Sequence, residues 1–274
     1  MDSFLDRTTA TIAYDIEGAD SGPTLISTHE PTGSRADEDA WGVFDWSAMP
    51  ASGIRLVRYD TRGHGASTGR ADPGDYRWPA LAADLLALAD AVSPDGPVDL
   101  LGVATGCGTA LWAAVMAPHR VRRLVLVVPP AFGAARDRQV ELFRAAADLA
   151  EVRGIDAWTR AASAMPPVPV LQEGGWHRQQ RPSVPAELLP LVVRGQADSA
   201  FPSDDLLAGL VQEVLVLAWP DDPSHPVAGA ERLTDLLPGA RLEVAPDAVT
   251  VAGWGRHVAA LLATEVPAGA ADDA

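Results

Sequence analysis

Four side chains able to move a proton stand just after short β-rich runs. His29 and Glu30 follow Thr24–Thr28, and Asp222 and His225 follow Val214–Ala218. Histidine titrates near neutrality without help, whereas a carboxylate reaches it only when buried. These four form a candidate acid–base set, with His29 and Asp222 ranked first because they follow strand ends most directly. His225 stands three residues after Asp222 and could pair with it locally, although His225-Pro226 also reads as the start of the next helix. Cys107, the single cysteine, lies in Thr105-Gly106-Cys107-Gly108-Thr109. A free thiol in a first helical turn behaves as a small buried hydrophobe. One cysteine excludes an internal disulfide and a multi-cysteine metal site, and no metal or cofactor is expected.

The elements that must position these residues alternate between strand and helix. Thr9–Ile16 alternates as an opening strand or hairpin arm. Further β-rich runs are Thr24–Thr28, Ile54–Tyr59, Val98–Val103, Val121–Val128, Val214–Ala218 and Arg241–Ala245. Several are apolar on both faces, as parallel strands covered by helices on each side must be. Between them Trp78–Val92, Thr109–Met116 and Val227–Leu237 carry apolar residues at helical spacing. The order predicts an α/β fold with a doubly wound, mostly parallel sheet. The stretch Ala131–Leu210 is too long for a crossover and holds helical runs at Asp137–Arg153 and Ile155–Ala164, so it reads as an inserted helical cap. The expected organisation is a core of 1–130 and 213–266, a cap of 131–212, and a disordered acidic tail at 267–274.

Composition narrows the function. The 274 residues are 47% hydrophobic and 21% charged, an ordinary globular balance. With 21 basic and 37 acidic side chains the net charge is −16. Such a chain is not expected to track nucleic-acid phosphates or to bind an anionic membrane. No apolar run reaches the roughly 18 residues of a membrane span. The N-terminus lacks the basic-then-apolar order of a signal peptide, so a soluble cytoplasmic protein is expected. All basic residues are arginine, and lysine and asparagine are absent, as a GC-rich genome would produce.

Three patterns, in order, resemble the α/β-hydrolase superfamily in its capped, esterase- and haloperoxidase-like form. Asp60-Thr61-Arg62-Gly63-His64-Gly65-Ala66-Ser67 resembles the D-x-R-G-x-G-x-S turn. Gly102-Val103-Ala104-Thr105-Gly106 resembles the nucleophile elbow G-x-S-x-G. Trp219-Pro220-Asp221-Asp222-Pro223 resembles the loop bearing the acidic triad member. The resemblance implies a triad, and the residues depart from it. Ala104 holds the nucleophile position and its methyl cannot attack a carbonyl. The loop after the last strand has no histidine, and Thr250 stands where one is implied. His257 lies beyond, in the final helix, and reads as a surface or capping residue. In His29-Glu30-Pro31, Pro31 has no N–H to give a developing oxyanion. Only the acid remains, as Asp222 or its neighbour Asp221.

On this reading a serine at position 104 would find neither the family's base nor an intact oxyanion hole. The expected function is a non-hydrolytic enzyme of cyclase, lyase or isomerase type, acting on an apolar small molecule of secondary metabolism. Ala104, Thr105 and Trp219 would contact that substrate. Two alternatives stand beside it: a serine ester or amide hydrolase inactivated by a Ser-to-Ala substitution at Ala104, and a non-catalytic small-molecule-binding pseudo-hydrolase.

Overall fold

In the computed structural model, residues 2–177 and 181–264 are described. Eight strands form one sheet: β1 (Ser3–Arg7), β2 (Ala10–Glu17), β3 (Thr24–Thr28), β4 (Arg55–Tyr59), β5 (Val98–Val103), β6 (Val121–Val127), β7 (Glu213–Ala218) and β8 (Ala240–Val244). Their spatial order is β1-β2-β4-β3-β5-β6-β7-β8. β1 and β2 pair antiparallel with each other, and β2 with β4; every later pairing is parallel. The opening alternation is thus one arm of a hairpin. Its other arm, β1, is polar and largely exposed, which hid it from hydrophobic patterning.

The central strands are buried on both faces because successive side chains enter different cores. Leu100, Leu124, Leu126 and Val216 pack with helices α3 (Trp78–Val92), α4 (Gly106–Met116) and α9 (Val227–Leu236). Leu101, Val103, Val125 and Leu217 pack on the opposite face with α2 (Ala48–Ala51) and α11 (Trp254–Leu262). This is the doubly wound arrangement, and its strand runs read as continuously apolar for that reason. Helix α1 (Arg35–Trp41) follows β3, and α10 (Ala248–Ala252) follows β8. Both are too short for a clear helical period.

Between β6 and β7 lie α5 (Gly133–Ser163), α6 (Pro169–Glu173), α7 (Leu189–Ala197) and α8 (Asp204–Ala208). α5 joins the two expected helical runs across a kink at Gly154, whose φ is 78°. Its Ala147 and Ala150 form a separate core with Leu189, Val192 and Val193 of α7, seated on Tyr76. Among the described residues, no helix is long and apolar enough to cross a membrane. The expected tail at 267–274 lies outside them.

Buried ion pairs fix the loops at the sheet's carboxyl edge. Arg62 places Nε and Nη2 on the two oxygens of Asp84 at 2.7 and 2.8 Å, and Arg7 adds a third bond at 3.0 Å. Asp84 is almost wholly buried on α3. Removing one partner of such a pair strands the other charge in the interior. Asp84→Ala is expected to cost about 3–5 kcal/mol in denaturant unfolding, and a loss below about 1 kcal/mol would show that Arg62 is solvated elsewhere.

Candidate functional site

β5 leaves the sheet in a turn so tight that two glycines are required. A Cβ on Gly102 would stand 2.5 Å from the Gly106 carbonyl oxygen, and one on Gly106 would stand 2.7 Å from that of Thr28. Between them Ala104 takes φ 52°, a left-handed conformation that non-glycine residues seldom adopt. Its N–H donates to Val127 O at 2.9 Å, and its carbonyl accepts from Cys107 N at 3.0 Å. Two more residues with positive φ follow adjacent strands: Val128 (46°) after β6 and Asp221 (59°) after β7. Strain of this kind, held by surrounding structure, collects at functional sites. Here it marks the carboxyl ends of three neighbouring parallel strands, where ligands of open α/β sheets bind.

Past β7, the Asp222 carboxylate is saturated. Oδ2 accepts from Trp219 Nε1 and from His225 Nδ1, each at 2.9 Å. Oδ1 accepts from Ser224 N at 2.9 Å and His225 N at 3.3 Å. Burial alone would raise its pKa, but these donors and the imidazole's charge hold it well below the usual carboxylate range. Asp222 therefore stays ionised and orients His225, whose Nε2 makes no hydrogen bond among the described residues. The loop is also tied to the helical insertion. Gln139 of α5 donates to Ser224 O at 2.8 Å and accepts from Arg136 at 2.7 Å.

Comparison with known proteins agrees with this architecture. A family model described as "alpha/beta hydrolase fold" matches residues 44–151. A 3-oxoadipate enol-lactonase of Acinetobacter baylyi is 27% identical over 198 residues, covering 69% of each chain. A solved hydrolase from Pseudomonas aeruginosa superposes with a TM-score of 0.69 at 26% identity, covering 90% of each chain. The enol-lactonase of Burkholderia xenovorans has a TM-score of 0.73 at 19% identity, covering 95% of this chain and 96% of its own. This chain has the α/β-hydrolase fold.

Within this fold, Ala104 occupies the sharp strand-to-helix turn. Cys107 lies one helical turn further, fully buried, with Sγ donating to Gly102 O at 3.2 Å. Burial pushes its thiol pKa far up, so it supplies no thiolate. The loop after β8 is spent on capping: Asp247 accepts from both the N–H and the hydroxyl of Thr250, each at 2.8 Å. His257 is exposed on α11 and meets Glu243 at 3.1 Å, as a surface residue would. The space beneath the acid loop is filled by Trp254, stacked on Trp219 with ring centroids 5.5 Å apart.

The structure divides the sequence-derived set in two. Trp219 and His225 are both brought onto Asp222. His29 and Glu30 instead line a small cavity with Thr105 and Gly106, together with Thr61 and His64. The first ranking of His29 does not survive. Its Nδ1 donates to Glu30 O at 2.7 Å and its Nε2 accepts from the Thr61 N–H at 3.0 Å. Both nitrogens hold backbone groups, which leaves the ring a brace for the loop. His64 is equally enclosed, Nε2 lying 2.9 Å from Pro31 O, and burial lowers its pKa to about 4.

Glu38 went unnoticed in the sequence because it sits in the short α1 amid Asp37 and Asp39. It is buried, and desolvation pushes its pKa up to about 8; Arg58 opposes the shift, while Glu30, Asp39 and Asp60 reinforce it. A folded-state pKa above the unfolded value near 4.3 means that the native state holds a proton which the unfolded chain has lost. Stability is then lost as pH rises between about 4.3 and 8. Glu38→Gln is expected to stabilise the protein, the advantage over wild type growing by up to about 1.4 kcal/mol per pH unit in that window. Unfolding titrations at several pH values read this directly, and a pH-independent difference would contradict it.

Proposed function

We propose that this chain is a non-hydrolytic enzyme of the isomerase, lyase or cyclase type, moving a proton on a carbonyl-bearing, largely apolar small molecule. The observation that carries the reading is the Asp222–His225 pair. A permanently ionised carboxylate holds Nδ1–H and leaves Nε2 as a base, an orientation usual for catalytic histidines. No nucleophile stands at Ala104, where the methyl leaves room for substrate. The N–H groups of Thr105 and Gly106, at the start of α4, lie at the end of the sheet and suit a developing oxyanion. Pro31 contributes no second donor.

In the reaction this predicts, His225 Nε2 removes a proton from the carbon beside a carbonyl. The electron pair moves onto the carbonyl oxygen as an enolate, held by the α4 N–H groups. Return of the proton to another carbon completes an isomerisation, and loss of a β-substituent completes an elimination. Asp222 orients the base, Trp219 fixes Asp222, Glu30 and His29 shape the adjoining cavity, and no cofactor is required. The enol-lactonase relatives support a substrate with an enolisable carbonyl. The helical insertion, as a cap over residues 131–212, would exclude water from the site.

Deuterium exchange into enolisable carbonyl compounds, enol lactones and β-keto acids among them, followed by NMR, tests the reading. Wild type is expected to exchange, and His225→Gln to lose about 10²–10⁴-fold. Equal rates in the two would overturn the role of His225.

One observation favours the second reading, an inactivated serine hydrolase. Ala104 retains an elbow conformation whose strain serves a nucleophile. Ester turnover by Ala104→Ser separates the two, and fluorophosphonate labelling reports whether His225 reaches position 104. Wild type is expected to remain unlabelled, and Ala104→Ser to be labelled only while His225 is intact. Efficient ester turnover by Ala104→Ser would favour the hydrolase reading. A folded Ala104→Ser that resists labelling would place His225 out of reach of the elbow.

A further inference from the structure

Beside α1, a narrow cleft is lined by Glu30, Ser34, Glu38 and Trp41, with Arg181 at its rim. Glu38 is 8% exposed. Its carboxyl group makes no hydrogen bond or ion pair among the described residues, whereas Asp60, Asp84, Asp99 and Asp222 are held by named donors. We propose that this cleft is a subsite for an organic ammonium group, the cationic end of a substrate or ligand.

The chemistry follows from what faces Glu38. Glu30, Asp39 and Asp60 present carboxylates, and Arg58 of β4 presents a cation. Asp37 also lines the cleft. Arg181 is turned toward the insertion, where it meets Asp156 at 2.9 Å. An anion would meet these carboxylates unfavourably, and a neutral hydroxyl would bring no charge to favour the ionised form of Glu38. A primary ammonium brings three donors and one positive charge in a group small enough for the space. The indole of Trp41 adds a face suited to a cation. The net charge of −16 draws cations to the surface as a whole.

Binding has a proton balance. Glu38 enters as the neutral acid, gives its proton to solvent, and remains as the carboxylate against R–NH₃⁺. Affinity is therefore expected to rise with pH until Glu38 is already ionised. Glu30 lines both this cleft and the cavity containing Thr105 and Gly106. An ammonium held at Glu38 would direct the rest of its molecule toward the elbow. The inference thus extends the proposed function by naming a substrate group, while its test reads binding alone and stands whether or not proton transfer is found.

The probes are n-butylammonium chloride, n-butanol and sodium butyrate at matched ionic strength. They are titrated into ¹⁵N-labelled full-length protein while the Trp41 indole N–H, assigned with Trp41→Phe, is followed by NMR. Only butylammonium is expected to shift that signal, with affinity rising up to about tenfold per pH unit below about pH 8. Calorimetry in two buffers is expected to show proton release. Glu38→Gln, which should fold more stably than wild type, is expected to weaken binding at least about tenfold at pH 8. Equal binding of butanol, affinity independent of pH, unchanged binding by Glu38→Gln, or no shift at tens of millimolar would each overturn the assignment.

Discussion

The structure depends on how closely the chain packs against itself where β5 turns into α4. Neither Gly102 nor Gly106 has space for a methyl group. The helix therefore starts against β3, and Ala104 is held at φ 52° between them. The same closeness continues along the helix, where the Trp78 ring lies where a Gly108 Cβ would be. Trp78 in turn donates to Gln196 of α7 at 2.7 Å, and Arg136 of α5 lies 4.9 Å over its ring. One tight turn thus sets the start of α4, the seating of α3 and the attachment of the helical insertion.

Charge separates scaffold from candidate site. Asp60 accepts from Arg35, Asp84 from Arg62 and Arg7, and Asp99 from Arg122. These buried carboxylates have guanidinium partners whose planar forks suit them. Asp222 has none. Its donors are an indole, two backbone N–H groups and an imidazole, so its charge is stabilised while its histidine stays free at Nε2. Glu38 has no donor and is held as the acid by its surroundings. Asp222 and Glu38 are thus in opposite protonation states at neutral pH, a division typical of acid–base sites.

The solved hydrolase and enol-lactonase share the frame. The elbow keeps its strained backbone with a methyl group on it. The loop after β8 folds into a Thr250–Asp247 cap, and the acid turns to a histidine on its own loop. Pairing three residues apart needs no long-range docking, so the Asp222–His225 unit is fixed by one turn anchored to Trp219 and, through Gln139, to α5.

The parallel core was legible in the sequence because burial on both faces demands unbroken apolar runs, and the elbow because Gly102 and Gly106 permit what other residues cannot. The absence of a nucleophile at Ala104 was equally plain. Helix α1 and strand β1 were not legible, one being too short for a helical period and the other too polar for burial. Residue types identified proton carriers but not their freedom. His29 and His225 both follow strand ends in the sequence, His29 directly and His225 at the end of a longer loop. Only the tertiary structure decided that Nε2 of His29 is occupied and that of His225 remains open, since the Thr61 N–H that takes His29 Nε2 comes from another segment. The elevated pKa of Glu38 arises likewise from desolvation and from carboxylates on neighbouring elements, and neither exists until the chain has folded.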